Sequence, residues 1–316
     1  MKTSRRRFSR AEKSLWLAPL LLALLGGWLW WRQRNDTKIL VQTAELNYVR
    51  HVRFSPDGRR LLVVFNHKNL HIAPGDELNP LVNQIDDTAI YDVGNRSKIC
   101  DLQAPASIGE IEWPVWSPDG TRIAAGGAGA IGLWNARNGQ FQKSWPYHFK
   151  TDFAFNAPRV AFSRDGQSVI GQENPRAVFD VQSGKQVRRV VGSFESNGLS
   201  ATRALSATQI GNTIEVCDAR SHLIVWTRDL SHAECVFGWS PDGKYLAVLE
   251  GDGDAGEDGY FLQWRTLTIF DAGKRTVWQQ SWKSLDGSPC CFDWSPDSKQ
   301  LAIGLSDGVE LMPVEG

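Results

Sequence analysis

One four-residue phrase recurs along the 316-residue chain: Ser55-Pro56-Asp57-Gly58, Ser117-Pro118-Asp119-Gly120, Ser240-Pro241-Asp242-Gly243 and Ser295-Pro296-Asp297-Ser298. Proline sets φ for the second position of a turn, Asp tolerates the third, and Gly accepts the positive φ that closes it, so each copy predicts a hairpin tip. The flanks agree. Val52-Arg53-Phe54 and Trp113-Pro114-Val115-Trp116 lead in as short strands, and the apolar residues 61–65 and 123–125 lead out. A fifth copy, Phe162-Ser163-Arg164-Asp165-Gly166, lacks only the proline. Such a repeat builds a surface from equal units and names no substrate.

A second phrase interleaves with the first: a strand ends in an aromatic or small residue, then Asp or Asn, then a turn. Its copies are Ile90-Tyr91-Asp92-Val93, Leu133-Trp134-Asn135, Val178-Phe179-Asp180-Val181, Val216-Cys217-Asp218-Ala219 and Ile269-Phe270-Asp271-Ala272. With both phrases in place, residues 39–316 resemble the WD40 and TolB-like families of bacterial β-propellers. In those families the hairpin phrase joins the first two strands of a blade and the Asp phrase ends the third. The resemblance implies an all-β fold, a six-bladed β-propeller of four-stranded antiparallel blades, and a period of about 40–45 residues suits it.

The 77-position separation of Arg164 and Pro241 leaves room for one degenerate blade, placed at 202–219; a ring of five or seven blades follows if that blade is misread. The last blade stops after its third strand, Val309-Glu310-Leu311-Met312, and one strand, Ile39-Leu40-Val41-Gln42, is left over at the start. That strand is expected to complete the last blade and close the ring, removing an open edge. No Gly-His pair precedes the hairpins, so the buried Asp-His-Ser-Trp network of WD40 proteins is not carried over. The ring is expected to hold mainly by apolar packing, with Phe54, Trp116, Phe162, Trp239 and Trp294 at matching places.

The first residues obey a different regime. A basic stretch at 1–13 precedes an apolar one, and residues 14–31 predict a transmembrane helix or signal anchor, followed by a linker at 32–38. Seventeen apolar positions in a helix reach about 25 Å, short of a ~30 Å hydrocarbon core, and Trp28, Trp30, Trp31, Arg32 and Arg34 extend the span at the interface. The excess of Lys and Arg before the segment places the N-terminus in the cytoplasm and the propeller outside, at a bacterial inner membrane. The alternative is export to the periplasm, since Ser4-Arg5-Arg6-Arg7-Phe8 resembles a twin-arginine signal. No small-x-small triplet closes the apolar run, which favours an uncleaved anchor.

The first 34 residues hold eight of 35 Lys and Arg but one of 35 Asp and Glu, leaving the rest at 27 against 34, a net −7. An acidic ring is a poor partner for phosphate backbones, so nucleic acid is not expected. Five cysteines (100, 217, 235, 290 and 291) show no zinc or redox spacing and are read as free thiols; a Cys235–Cys290 bridge is the alternative.

Two insertions, 66–88 and 251–263, both fall between the second and third strands of a blade and so decorate one face. That face is the candidate surface for a protein or peptide partner, with His67, His71, Asp76, Glu77, Asp252, Asp254 and Asp258 on it. The Gly-Asp run at 251–259 fails the EF-hand template, and a solvated acidic loop is the expectation there. No cofactor, metal or nucleophile pairing is predicted. The function expected is a membrane-tethered, non-catalytic scaffold, and the alternative is a propeller enzyme or small-ligand sensor at the channel mouth.

Overall fold

The computed structural model describes residues 38–39, 46–68, 84–105, 108–109, 111–127, 129–146, 160–171, 176–190, 204–232, 234–256, 259–282 and 288–314. The short strand β1 (Lys38–Ile39) comes first. Blade 1 is β2 (Leu46–Phe54), β3 (Arg60–Lys68), β4 (Gln84–Asp92) and β5 (Ser97–Asp101). Blade 2 is β6 (Glu112–Trp116), β7 (Arg122–Gly127), β8 (Ala130–Asn135) and β9 (Phe141–Pro146). Blade 3 is β10 (Val160–Phe162), β11 (Ser168–Gly171), β12 (Arg176–Asp180) and β13 (Gln186–Val190). Blade 4 holds β14 (Leu205–Ile210), β15 (Thr213–Asp218) and β16 (Ile224–Asp229). Blade 5 is β17 (Glu234–Trp239), β18 (Tyr245–Gly256), β19 (Gly259–Asp271) and β20 (Thr276–Ser281), and blade 6 is β21 (Pro289–Trp294), β22 (Gln300–Leu305) and β23 (Gly308–Pro313), with β1 outside β23.

These are the six sheets expected, closed by the N-terminal strand. The closing pair uses residues 38–39, while 40–42 lie outside the described residues. Five of the sheets have the expected four strands, and three strands of blade 4 lie among the described residues. Asp218 ends β15, so β15 is a third strand, and blade 4 has no innermost strand among the described residues. The expected helix at 14–31 also lies outside them, and no described helix is long and apolar enough to cross a membrane.

Burial explains the strand composition. The middle strands are sandwiched between neighbouring blades and read as continuous apolar runs: β7 buries Ile123, Ala124 and Ala125, and β8 buries Ile131, Leu133 and Trp134. Trp134 lies so close over Gly132 that any Cβ there would clash with its ring. Outer strands face solvent, and β5 is exposed along most of its length. Apolar clusters fill the seams between blades 1 and 6, 1 and 2, 2 and 3, 5 and 6, and 4 and 5.

The repeated phrase forms the hairpin tips, and its first residue does the most. Ser55, Ser117, Ser240 and Ser295 are buried. Each hydroxyl donates to the Asp two residues on, at 2.5–2.7 Å, and accepts a backbone N–H five residues on, at 2.9–3.0 Å. Ser163 repeats both bonds in blade 3. The fourth residue of each tip has φ between 63° and 73°, Ser298 among them.

The tips also stack on one another. A Cβ at Gly58, Gly120 or Gly166 would stand 3.5 Å from the Cδ of Pro296, Pro56 or Pro118 of the preceding tip. At the remaining contact, Ser298 replaces Gly and its hydroxyl accepts the Asp242 N–H at 2.9 Å. The stack therefore runs through blades 5, 6, 1, 2 and 3. Blade 3, whose tip carries Arg164 instead of Pro, faces blade 4, which lacks the phrase.

Polar ties cross the seams as well, beside the apolar packing expected from the sequence. The indoles of Trp116 and Trp294 donate to the carbonyls of Arg53 and Gly238, each at 3.1 Å on the preceding inner strand. Trp239 holds the same position in blade 5, and its buried indole N–H finds no acceptor. The preceding inner strand is the one blade 4 lacks among the described residues. Arg60 reaches the carbonyls of Gly120 and Ala136 at 2.7 and 2.9 Å while lying over the Trp116 ring.

A chain beginning at Leu46 loses β1 from the last blade. We expect a loss of about 1 kcal/mol, roughly 2–4 °C in Tm, because the cluster shared by blades 1 and 6 survives; an unshifted thermal transition would count against closure by this strand.

The tips also set an acid limb. The serine bond is the largest of the effects that hold the carboxyls of Asp119, Asp165 and Asp297 below the usual range. A native pKa below the unfolded one gives stability that is in place above about pH 4 and is lost as pH falls through the native value. The double substitution Asp119→Asn, Asp297→Asn should therefore flatten the fall in Tm between about pH 5 and about pH 3.

Candidate interaction face

Second-to-third hairpins emerge on the face opposite the tips. In blades 2, 4 and 6 they are short: β7 and β8 pair up to Gly127↔Ala130, β14 and β15 up to Ile210↔Thr213, β22 and β23 up to Leu305↔Gly308. In blades 1 and 5 they are long. β3 and β4 pair as far as Lys68↔Gln84, and β18 and β19 as far as Gly256↔Gly259. Of the segments expected as loops, 66–68, 84–88, 251–256 and 259–263 are paired strands, and 69–83 and 257–258 lie outside the described residues. Pairing extends each ladder and satisfies the backbone groups that a loop would leave to water, even through Gly-Asp repeats of low β propensity.

β18 has 12 residues against six in β22, an excess of about 20 Å at ~3.3 Å per residue. Blades 1 and 5 flank blade 6 in the ring, so the two long arms stand on either side of the two-residue turn at Ser306 and Asp307. That arrangement makes a saddle over blade 6.

The root of the blade 5 arm is fixed by a buried carboxylate. Glu250 precedes a bulge at Glu250/Gly251 and is fully buried. It accepts the Arg228 guanidinium at 3.0 Å and the Ser231 N–H at 2.6 Å, both from the blade 4 side. Arg228 lies 4.8 Å over the Phe270 ring, and its Nε has no partner. One residue past the bulge, Asp252 meets His232 at 2.8 Å. Cys235 donates its thiol to Gln209 at 3.1 Å, and burial, with Glu250 and Glu234 nearby, pushes that thiol up to about 12. It is not a nucleophile at neutral pH.

At the channel mouth two inner strands bulge side by side. β2 shifts register at Leu46/Tyr48 and Val49/His51, and β6 at Glu112/Val115. His51 packs on Trp113 with ring centroids 4.3 Å apart, and Arg50 lies 3.5 Å from Glu112. Trp113 has φ 50°, a left-handed conformation that costs an aromatic residue about 1–3 kcal/mol and concentrates at functional sites. Deeper in, Asp293 accepts the Phe54 N–H at 2.8 Å and pairs with Arg53 at 3.3 Å. Burial raises its carboxyl, with Arg53 opposing.

Of the residues singled out in the sequence, Asp252 and Asp254 lie on β18 and His67 on β3. Asp252 is drawn to His232, a contact the sequence did not signal. His71, Asp76, Glu77 and Asp258 lie outside the described residues. Among the described residues, no three His, Cys, Asp or Glu converge as a metal set, and all five cysteines are unbridged. Sequence reasoning missed Glu250, Arg228, His51 and Trp113. The one available signal was Trp113-Pro114, where a pre-proline residue interrupts a strand.

Six radial antiparallel sheets closed by an N-terminal strand define a β-propeller. The C-terminal WD40 domain of Sif2 superposes with a TM-score of 0.55 at 11% identity, covering 89% of this chain and 99% of that one. No protein-family model matches the chain. By sequence it is similar to a component of eukaryotic translation initiation factor 3 from Aspergillus oryzae, 24% identical over 214 residues, and to its counterpart from Aspergillus clavatus, 24% over 200 residues. These matches cover 62% and 57% of this chain, which spans about a fifth of the length of those curated relatives.

Breaking the pair at the arm root should be expensive. Glu250→Ala strands a mostly buried guanidinium and is expected to cost about 3 kcal/mol by urea unfolding, whereas Glu250→Leu combined with Arg228→Met should recover part of that loss.

Proposed function

We propose that the chain is a membrane-tethered, non-catalytic propeller that docks a protein or peptide partner on its hairpin face, as a scaffold of the bacterial envelope. The saddle over blade 6 carries this reading, since two long arms on one face frame an extended surface. The apolar segment at 14–31 is the tether, crossing an inner membrane with its N-terminus in the cytoplasm. WD40 propellers commonly serve as interaction platforms, and a relative named as one component of an initiation factor belongs by that name to a larger assembly. The net −7 of residues 35–316 speaks for a protein partner over nucleic acid.

Crosslinking and pull-down from intact membranes test the reading, with the full chain, a chain lacking 69–83, and a chain lacking 253–263. We expect a partner captured by the full chain to be lost from both shortened forms, with circular dichroism unchanged. An identical set of partners in all three would remove the saddle as the site.

A further inference from the structure

The outer rim of blades 3 and 4 carries an apolar corner with basic flanks. Leu223, just before β16, is 70% exposed, Ile224 and Val225, the first residues of that strand, are 56% and 51% exposed, and Val187, in β13, is 57% exposed. Single exposed aliphatic residues need no account, but three in a row at an outer strand do. The outer strands of blades 2 and 5 expose Gln142 in β9 and Thr276 in β20 near their starts, and β5 of blade 1 exposes a single large aliphatic residue, Ile99 at 42%, after Ser97 and Lys98.

Cations border this corner. Arg220 stands in the turn before β16 and Lys185 in the turn before β13; both are exposed and neither has an ion-pair partner among the described residues. The carboxylates of these turns are engaged locally: Asp180 accepts the Ser183 N–H and hydroxyl, each at 2.6 Å, and Asp218 accepts the Ser221 N–H and hydroxyl at 2.7 and 2.8 Å. Aliphatic side chains bordered by cations suit the boundary between headgroups and acyl chains. The strand β1 lies at the outer edge of blade 6, and blade 3 is across the ring from it.

We propose that the blade 3–4 rim, through Lys185, Val187, Arg220, Leu223, Ile224 and Val225, rests on an anionic lipid surface, its cations at headgroup phosphates and its aliphatic side chains below them. This rests on the membrane-tethered reading above. Both are tested with the full chain in proteoliposomes, one set of phosphatidylcholine alone and one mixed with phosphatidylglycerol, by flotation and by hydrogen–deuterium exchange of peptides covering 181–190 and 218–229. We expect flotation with both vesicles, several-fold slower exchange only with phosphatidylglycerol, and loss of that slowing in the double variant Lys185→Glu, Arg220→Glu. Flotation with equal exchange in both vesicles leaves the tether standing and overturns the lipid contact. Failure to float with either removes tether and contact together. Slowing that grows with protein concentration in lipid-free detergent assigns the corner to a second copy of the chain and also overturns the proposal.

Discussion

The fold depends on a buried hydroxyl repeated at each tip. By donating to an aspartate two residues ahead and accepting a backbone N–H five residues ahead, the serine closes the turn from inside and leaves no buried donor unpaired. Only then are the proline and the glycine of successive tips set at the same height, where they meet. The tip sequence thus encodes contact between blades as well as a bend within one. Arg164 illustrates the rule. Proline is absent from the one tip whose onward neighbour, blade 4, has no glycine of the phrase to receive it.

Features that depend on neighbours along the chain were legible in the sequence. The hairpins, the third-strand turns, the six sheets and the returning first strand all follow from local phrases and their spacing. Features that depend on distant partners were not. Glu250 owes its burial to Arg228 and Ser231, 22 and 19 residues away, and nothing near Glu250 marks it as different from a surface glutamate. Arg60 reads as a turn residue and binds carbonyls 60 and 76 residues ahead. The stretch at 251–263 reads as a loop because glycine and aspartate disfavour strands, yet a ladder already running from Tyr245 continues into it. At the candidate face, Asp252 was chosen for its charge, and its partner His232 emerged only in three dimensions.

The two ends of the blades differ in kind. Among the described tips the pattern is uniform: each serine and its aspartate are spent on their own turn. The opposite end varies from blade to blade, with two arms, a strained tryptophan beside a histidine, and an ion pair at an arm root. A rigid repeated base carrying an irregular rim is how such rings obtain specificity without altering the core.

The order of the tip stack has a mechanical consequence. It passes without interruption through the join between blade 6 and blade 1, where the Asp293 bonds to Phe54 and Arg53 and the shared apolar cluster also lie. The place where the polypeptide begins and ends is thus among the best fastened in the circle. Among the described residues blade 4 contributes no member to the stack, and Trp239 beside it keeps an unanswered N–H. Opening the circle at the join of blades 6 and 1 would have to break the stack, the Asp293 bonds and the shared cluster together, so fraying of the first strand need not part the blades.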